Sequence, residues 1–178
     1  MSVITTEYKE RISQLHRELG IPADYQSNCG LPLYPEPLDL EDTEPDYYQR
    51  PQQLTPEAHQ AWLAMKQAAA DEKIVLHLIS AYRSVEYQCA LIKQHLQAGR
   101  DMDELLTKVA APGHSEHHSG RAIDISTDGC AALELEFAET KAYTWLCSHA
   151  AEFGFVLSFP ANNPFGISYE PWHWCYQV

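Results

Sequence analysis

The chain has 178 residues, 45% of them hydrophobic and 21% charged, the size and composition of one globular domain with a substantial core. Its 25 Asp and Glu against 12 Lys and Arg give a formal charge of −13, which argues against nucleic acid or an anionic membrane as a partner, because both are bound by cations that neutralise phosphate. No apolar run approaches the ~20 residues of a bilayer span; the start at Met1 lacks a signal peptide's basic and apolar regions; and Cys29, Cys89, Cys130, Cys147 and Cys175 show no CxxC spacing, so the expectation is a cytoplasmic protein without a disulfide framework.

In chain order, Tyr8, Ile12, Leu15 and Leu19 recur at helical spacing, and Gly20 and Pro22 stop the helix. The stretch 27–54 is rich in proline and acid, which predicts an irregular surface segment whose charges are solvated. Its acids lack the spacing and turn glycine of a calcium loop. Thr55-Pro56-Glu57 reads as a helix start with Thr55 as cap, and Ala58, Trp62, Met65 and Ala69 form its inner stripe up to about Asp71. Ile74–Ser80 reads as a buried strand. Ser84 caps a helix through Leu96 that ends at Gly99, and Asp101 caps a short one over Met102–Val109.

A ligand-rich loop follows, feeding a strand in which Ala122, Asp124 and Ser126 share one face and Ile123 and Ile125 the other. Thr140–Phe153 is expected as a helix with Tyr143, Leu146, Cys147 and Ala150 inward, closed by Gly154. Phe155–Phe159 and Trp172–Val178 are expected as strands. Helices interspersed with short strands indicate an α+β fold, a small single domain with a mainly antiparallel sheet and surrounding helices.

The chemistry concentrates in two places. Pro112–Asp124 holds His114, His117, His118, Glu116 and Asp124, and Glu170-Pro171-Trp172-His173 holds a second carboxylate and imidazole. Imidazole and carboxylate together form the ligand set of a catalytic metal, most often zinc, with a fourth position left to water. His117, Asp124 and His173 would make such a set, with Gly120 turning the chain between the first two. Any one of these histidines alone reads more simply as a packed residue; the flanking residues change the balance. Glu170, three positions before His173, can serve as the base for a metal-activated water, although alone it would read as a surface salt bridge. Arg83, in a strand-to-helix turn, can clamp a substrate carboxylate or equally pair with a nearby acid of the protein.

These residues carry a resemblance. Ser115 to Asp124 fits the pattern Ser-x-His-x-x-Gly-x-Ala-x-Asp, and Glu170 to His173 fits Glu-x-Trp-His; with Ser80-Ala81-Tyr82-Arg83-Ser84 they resemble the zinc D-alanyl-D-alanine carboxypeptidase family, from about Thr55 to the C-terminus. The resemblance implies one Zn2+ held by His117, Asp124 and His173, Glu170 as catalytic base, and Arg83 and Gln88 on the substrate's terminal carboxylate. Ser115 would be a further hydrogen-bond contact, Trp172 a wall of the pocket, and His114 and His118 second-layer or surface residues. The substrate would be a small peptide or muropeptide, and a cytoplasmic member would meet recycled wall fragments. That favours L,D-carboxypeptidase action on tetrapeptides over D,D-carboxypeptidase or dipeptidase action on D-Ala-D-Ala ends. Two histidines and a carboxylate also make the facial triad of non-haem Fe(II) oxygenases, and a zinc module without turnover is a third alternative.

Overall fold

A computed structural model describes residues 4–177. Its first helix, α1 (Thr6–Leu19), is capped by Thr5, whose hydroxyl accepts from Tyr8 N, and ends at Gly20 in the left-handed region. A single helical turn, α2 (Tyr25–Asn28), leads into the proline-rich segment. That segment carries a two-residue strand, β1 (Glu41–Asp42), paired antiparallel with β2 (Gln53–Leu54). Then come α3 (Pro56–Asp71), β3 (His77–Ser80), α4 (Val85–Gln97), α5 (Met102–Leu106) and β4 (Ala122–Ser126). The chain closes with α6 (Lys141–His149), β5 (Phe155–Leu157) and β6 (His173–Tyr176).

The main sheet has four strands in the order β3-β4-β6-β5, every neighbouring pair antiparallel. The expected α+β architecture with a mainly antiparallel sheet is therefore what the sequence makes. Ile123 and Ile125 of β4 join Trp62 and Met65 of α3, Leu146 of α6, Phe155 and Trp174 in one apolar core. A second core gathers Ile12 of α1, Ile92 of α4, Leu105 of α5, Phe159 and Ile167. Asp124, on the strand face opposite Ile123 and Ile125, is left in the polar zone of the sheet.

Several elements differ from expectation for identifiable reasons. The strand expected at Ile74 begins at His77, because its ladder partner β4 ends at Ser126, which His77 faces. The 140–153 helix changes to a 3₁₀ turn at Ala150, and its inward stripe is Ala142, Trp145 and Leu146, while Cys147 is exposed. The helix expected over Met102–Val109 ends at Leu106. In the last strand the ladder stops at Tyr176, and Val178 lies outside the described residues, as do Met1–Val3. Thr55 occupies the cap position of α3, but its hydroxyl makes no cap bond and is buried without a partner.

Asp39, Glu41 and Asp42 of the 27–54 segment are exposed as expected, whereas Glu36, Glu44 and Asp46 are fastenings rather than a solvated fringe. Glu36 accepts from Tyr82 Oη at 2.9 Å, Val85 N at 3.0 Å and Arg11 Nη1 at 3.3 Å, joining α1 to the start of α4. Glu44 takes Trp62 Nε1 and Lys66 of α3, and the buried Asp46 takes Arg50 and two backbone N–H groups. Prolines keep the backbone extended and leave few N–H donors to form regular structure, so side-chain carboxylates do the anchoring. Burial alone would raise the Glu36 carboxyl; the Val85 N–H, the Tyr82 hydroxyl and Arg11 outweigh it and hold it below the usual carboxylate value.

Hydrogen bonds to a charged acceptor are each worth about 1.5–3 kcal/mol, so Glu36→Ala should destabilise the protein by roughly that amount in urea unfolding at neutral pH. A folded value below the unfolded one means this stabilisation is complete above the unfolded carboxylate pKa of about 4.3 and is lost as pH falls through the folded value. The wild-type advantage over Glu36→Ala should therefore shrink on acidification below about pH 4, read from urea midpoints across a pH series.

Candidate metal centre and its cleft

The register of the sheet assembles the centre. Asp124 on β4 lies directly opposite His173 on β6 and, on its other side, opposite Ser80 at the end of β3. Opposed residues of an antiparallel pair place their side chains about 5 Å apart on one face, so Asp124 and His173 meet without any special loop. His117 arrives from a 3₁₀ turn, Glu116–Ser119, which Gly120 ends with φ +66°. A Cβ there would lie 2.9 Å from Leu40 Cδ2, so glycine serves both the turn and the passage of the 27–54 segment over it. Arg83 N donates to His117 O at 3.2 Å, tying the turn to the β3–α4 junction.

The three side chains converge. His117 Nε2 is 3.2 Å from Asp124 Oδ2, and His173 Nδ1 is 3.1 Å from Asp124 Oδ1. One ligand atom from each of His117, Asp124 and His173 lies within 4.8 Å of the others, and all three residues are buried. Each imidazole spends its second nitrogen elsewhere: His117 Nδ1 on Ala81 O at 2.6 Å, His173 Nε2 on Glu116 Oε2 at 2.9 Å. A donor set of two imidazoles and one carboxylate, with other groups bonded behind the rings, suits a zinc-type ion with an open coordination position.

Electrostatics follow from the crowding. Burial would raise the Asp124 carboxyl, but His117 and His173 beside it hold it far below the usual carboxylate range. Burial, with the nearby Arg83 charge, keeps His117 below the usual imidazole range. Burial acts the same way on His173, yet its hydrogen bonds to Asp124 and Glu116 lift it to about 10. Glu170 is pushed up to about 7, mainly by burial; a cation in the triad would draw it down again.

The remaining residues singled out in the sequence share one cleft of about 950 Å³, whose lining includes Arg83, Gln88, Ser115, Glu170 and Trp172 beside the triad. Arg83 is held from three sides, with Nη2 3.3 Å from both Asp124 Oδ2 and Ser80 Oγ, and Nη1 3.3 Å from Gln88 Oε1. Gln88 is completely buried and donates to Ala110 O at 2.7 Å, so both ends of its amide are engaged within the protein. Ser115 precedes the 3₁₀ turn, and its hydroxyl makes no capping bond. Neither other loop histidine is on the surface. His118 receives Gly113 N at 3.0 Å on Nε2 and donates from Nδ1 to Arg83 O at 2.6 Å, while His114 Nδ1 donates to Leu31 O at 3.0 Å.

Two residues of the site escaped the sequence reading. Glu116 sits between Ser115 and His117 and bonds to His173, and Tyr34 of the proline-rich segment donates to Glu116 Oε1 at 3.2 Å. The available signal was chemical: a histidine ligand needs an acceptor for its second nitrogen, and Glu116 was an unassigned carboxylate beside the motif.

A family model described as VanY: D-alanyl-D-alanine carboxypeptidase matches residues 51–178. YodJ of Bacillus subtilis is 29% identical over 91% of this chain and 58% of its own length. Three curated relatives are all longer than this chain, which spans 58%, 35% and 66% of them. Among solved structures, the LdcB LD-carboxypeptidase, described as revealing peptidoglycan recognition, is 32% identical with a TM-score of 0.70, covering 79% of this chain and 69% of that one. The vancomycin-resistance D,D-pentapeptidase VanY in complex with Zn(II) is 25% identical with a TM-score of 0.61, covering 82% and 86%. Motif, sheet register and these matches agree, and the chain belongs to the VanY D-alanyl-D-alanine carboxypeptidase family.

Proposed function

We propose that the protein is a zinc carboxypeptidase that removes the terminal D-alanine from peptidoglycan stem peptides, with L,D cleavage of tetrapeptides as its main reaction. The observation that carries this reading is the cleft in which the buried His117–Asp124–His173 set, Glu170 and Arg83 stand together. The L,D preference draws support from the likeness to LdcB. The family description and the VanY structure favour the second reading, D,D cleavage of pentapeptides. Membership of a carboxypeptidase family and the Zn(II) of that neighbour set the oxygenase alternative aside. Among the described residues, no helix is long and apolar enough to cross a membrane.

His117, Asp124 and His173 would hold the ion. Bound there, zinc supplies a Lewis acid and lowers the pKa of the attacking water to about 7. Glu170 takes the proton released as water adds to the scissile carbonyl, then delivers it to the departing D-alanine nitrogen. Its burial keeps the carboxylate weakly hydrated and basic enough for that exchange. Arg83, braced by Gln88, offers its guanidinium to the terminal carboxylate and so restricts attack to a chain end. Its existing bond to Asp124 fixes the distance between end-group anchor and metal centre. The Ser115 hydroxyl donates to the peptide, and Trp172 closes one wall of the cleft.

Three outcomes are expected. Glu170→Gln should retain one zinc per chain by elemental analysis while losing about 10²–10⁴-fold in kcat, whereas His173→Ala should lose the metal itself. In Arg83→Ala the preference for free-acid over C-terminally amidated peptide should collapse, chiefly through KM; an unchanged preference removes Arg83 from the anchoring role. Incubating the zinc-loaded protein with tripeptide, tetrapeptide and pentapeptide stems should release D-alanine from the tetrapeptide, as followed by mass spectrometry. Release from the pentapeptide alone would establish the D,D reading instead.

A further inference from the structure

The two imidazoles of the centre present different nitrogens to it. Ala81 O can only accept, so His117 carries its proton on Nδ1 and turns the Nε2 lone pair toward Asp124. His173 is reversed: Nε2 faces Glu116 Oε2 at 2.9 Å, and Nδ1 faces Asp124 Oδ1 at 3.1 Å. A carbonyl orients the first ring and a carboxylate the second. That carboxylate is itself fastened, because Tyr34 Oη donates to Glu116 Oε1 at 3.2 Å. Tyr34 is anchored through its backbone, with its N–H on Gly113 O at 2.8 Å and its carbonyl receiving Tyr8 Oη of α1 at 2.7 Å. A chain of contacts thus runs from α1 through the proline-rich segment to the last residue of the triad.

We propose that Glu116, steadied by Tyr34, is a positioning residue for the metal centre: it binds the Nε2 proton of His173 so that Nδ1 points at the ion, and makes the 27–54 segment a structural part of the site. This rests on the reading of His117, Asp124 and His173 as metal ligands. Glu116 has the burial such a role needs, with its side chain 11% exposed and both oxygens bonded. A neutral ring held by a carboxylate behind it is a stronger donor than one held by water, and loss of such a partner commonly costs 10–100-fold in metal affinity. The segment that most resembled a solvated loop would then act on metal affinity without touching the metal.

Competition between the protein and a chromophoric zinc chelator tests this, with the visible spectrum of the Co(II)-substituted protein as a second readout. Glu116→Ala should bind zinc about 10–100-fold more weakly, Glu116→Gln should lose less in the same direction, and Tyr34→Phe less again. The Co(II) spectrum of Glu116→Gln should shift, because the basicity of one ligand changes while its position is kept. Should Glu116→Ala fail to fold, Glu116→Gln and Tyr34→Phe decide the matter by the same two measurements. Zinc affinity within twofold of wild type together with an unchanged Co(II) spectrum in Glu116→Gln and Tyr34→Phe would overturn the proposal. Failure of the underlying metal reading looks different: the wild-type chain would take up no stoichiometric zinc, or His173→Ala would bind it as well as wild type.

Discussion

Asp124 is 3% exposed, in the middle of a sheet, with both carboxylate oxygens engaged by side chains from three other parts of the chain. Removing a carboxylate from water to that depth costs several kcal/mol unless neighbouring groups replace the lost hydration. His117 comes from the 3₁₀ turn, His173 from β6 and Arg83 from the β3–α4 junction, so the three elements must arrive together for Asp124 to be tolerated. The same arrangement that makes the carboxylate tolerable gives it the surroundings of a ligand. A dication held by His117, Asp124 and His173 would supply the positive charge that this carboxylate demands.

The sheet separates this polar arrangement from the apolar support. One face of β4 contributes Ile123 and Ile125 to the core under α3 and α6, while the other presents Asp124 to the cleft. The second core, built by α1, α4 and α5, backs the far wall. A side chain on β4 therefore has little freedom to drift. Its backbone is paired on both sides, with β3 and with β6, and its neighbours are packed on the opposite face. That rigidity is what a centre needs if ligands are to be held close to their working positions.

Much of this was readable in the residues. The alternation Ala122-Ile123-Asp124-Ile125-Ser126 gave the strand its two faces, and the spacing from His117 to Asp124 with Gly120 between them gave two of the three members of the set. Local signals such as Ser84 and Asp101 placed helix starts correctly, because a cap acts within three residues of itself. What could not be read was long-range. The inward stripe of α6 depends on where Glu72 lies, since Trp145 turns in to bond it at 2.9 Å. The acids at Glu36 and Glu44 look like any solvated charge run until their partners on α1, α3 and α4 are in place. Glu116 went unassigned because its partners, Tyr34 and His173, lie 82 and 57 residues away.

The division between fixed and variable parts of the cleft bears on substrate choice. On the proposed reading, attack at a free chain end would need only the triad, Glu170 and Arg83, and Arg83 is locked to the triad through Asp124 and braced by Gln88. L,D and D,D cleavage would both draw on that set, so it would not separate a tetrapeptide from a pentapeptide. Discrimination must come from what surrounds the residue before the scissile bond and the room left for the terminal one. In this chain those walls are drawn from Tyr87 and Arg100 around α4, Leu133 and Glu134 before α6, and Tyr169 beside Glu170. The first two pairs are surface groups outside the hydrogen-bonded network of the centre, so they can change without disturbing Asp124. Tyr169 is the constrained one: its hydroxyl donates to Tyr143 at 2.8 Å and ties the segment carrying Glu170 to α6. A change there would move Glu170 along with the wall, so on the proposed reading specificity would diverge through the first two pairs while Tyr169 stays tied to the centre.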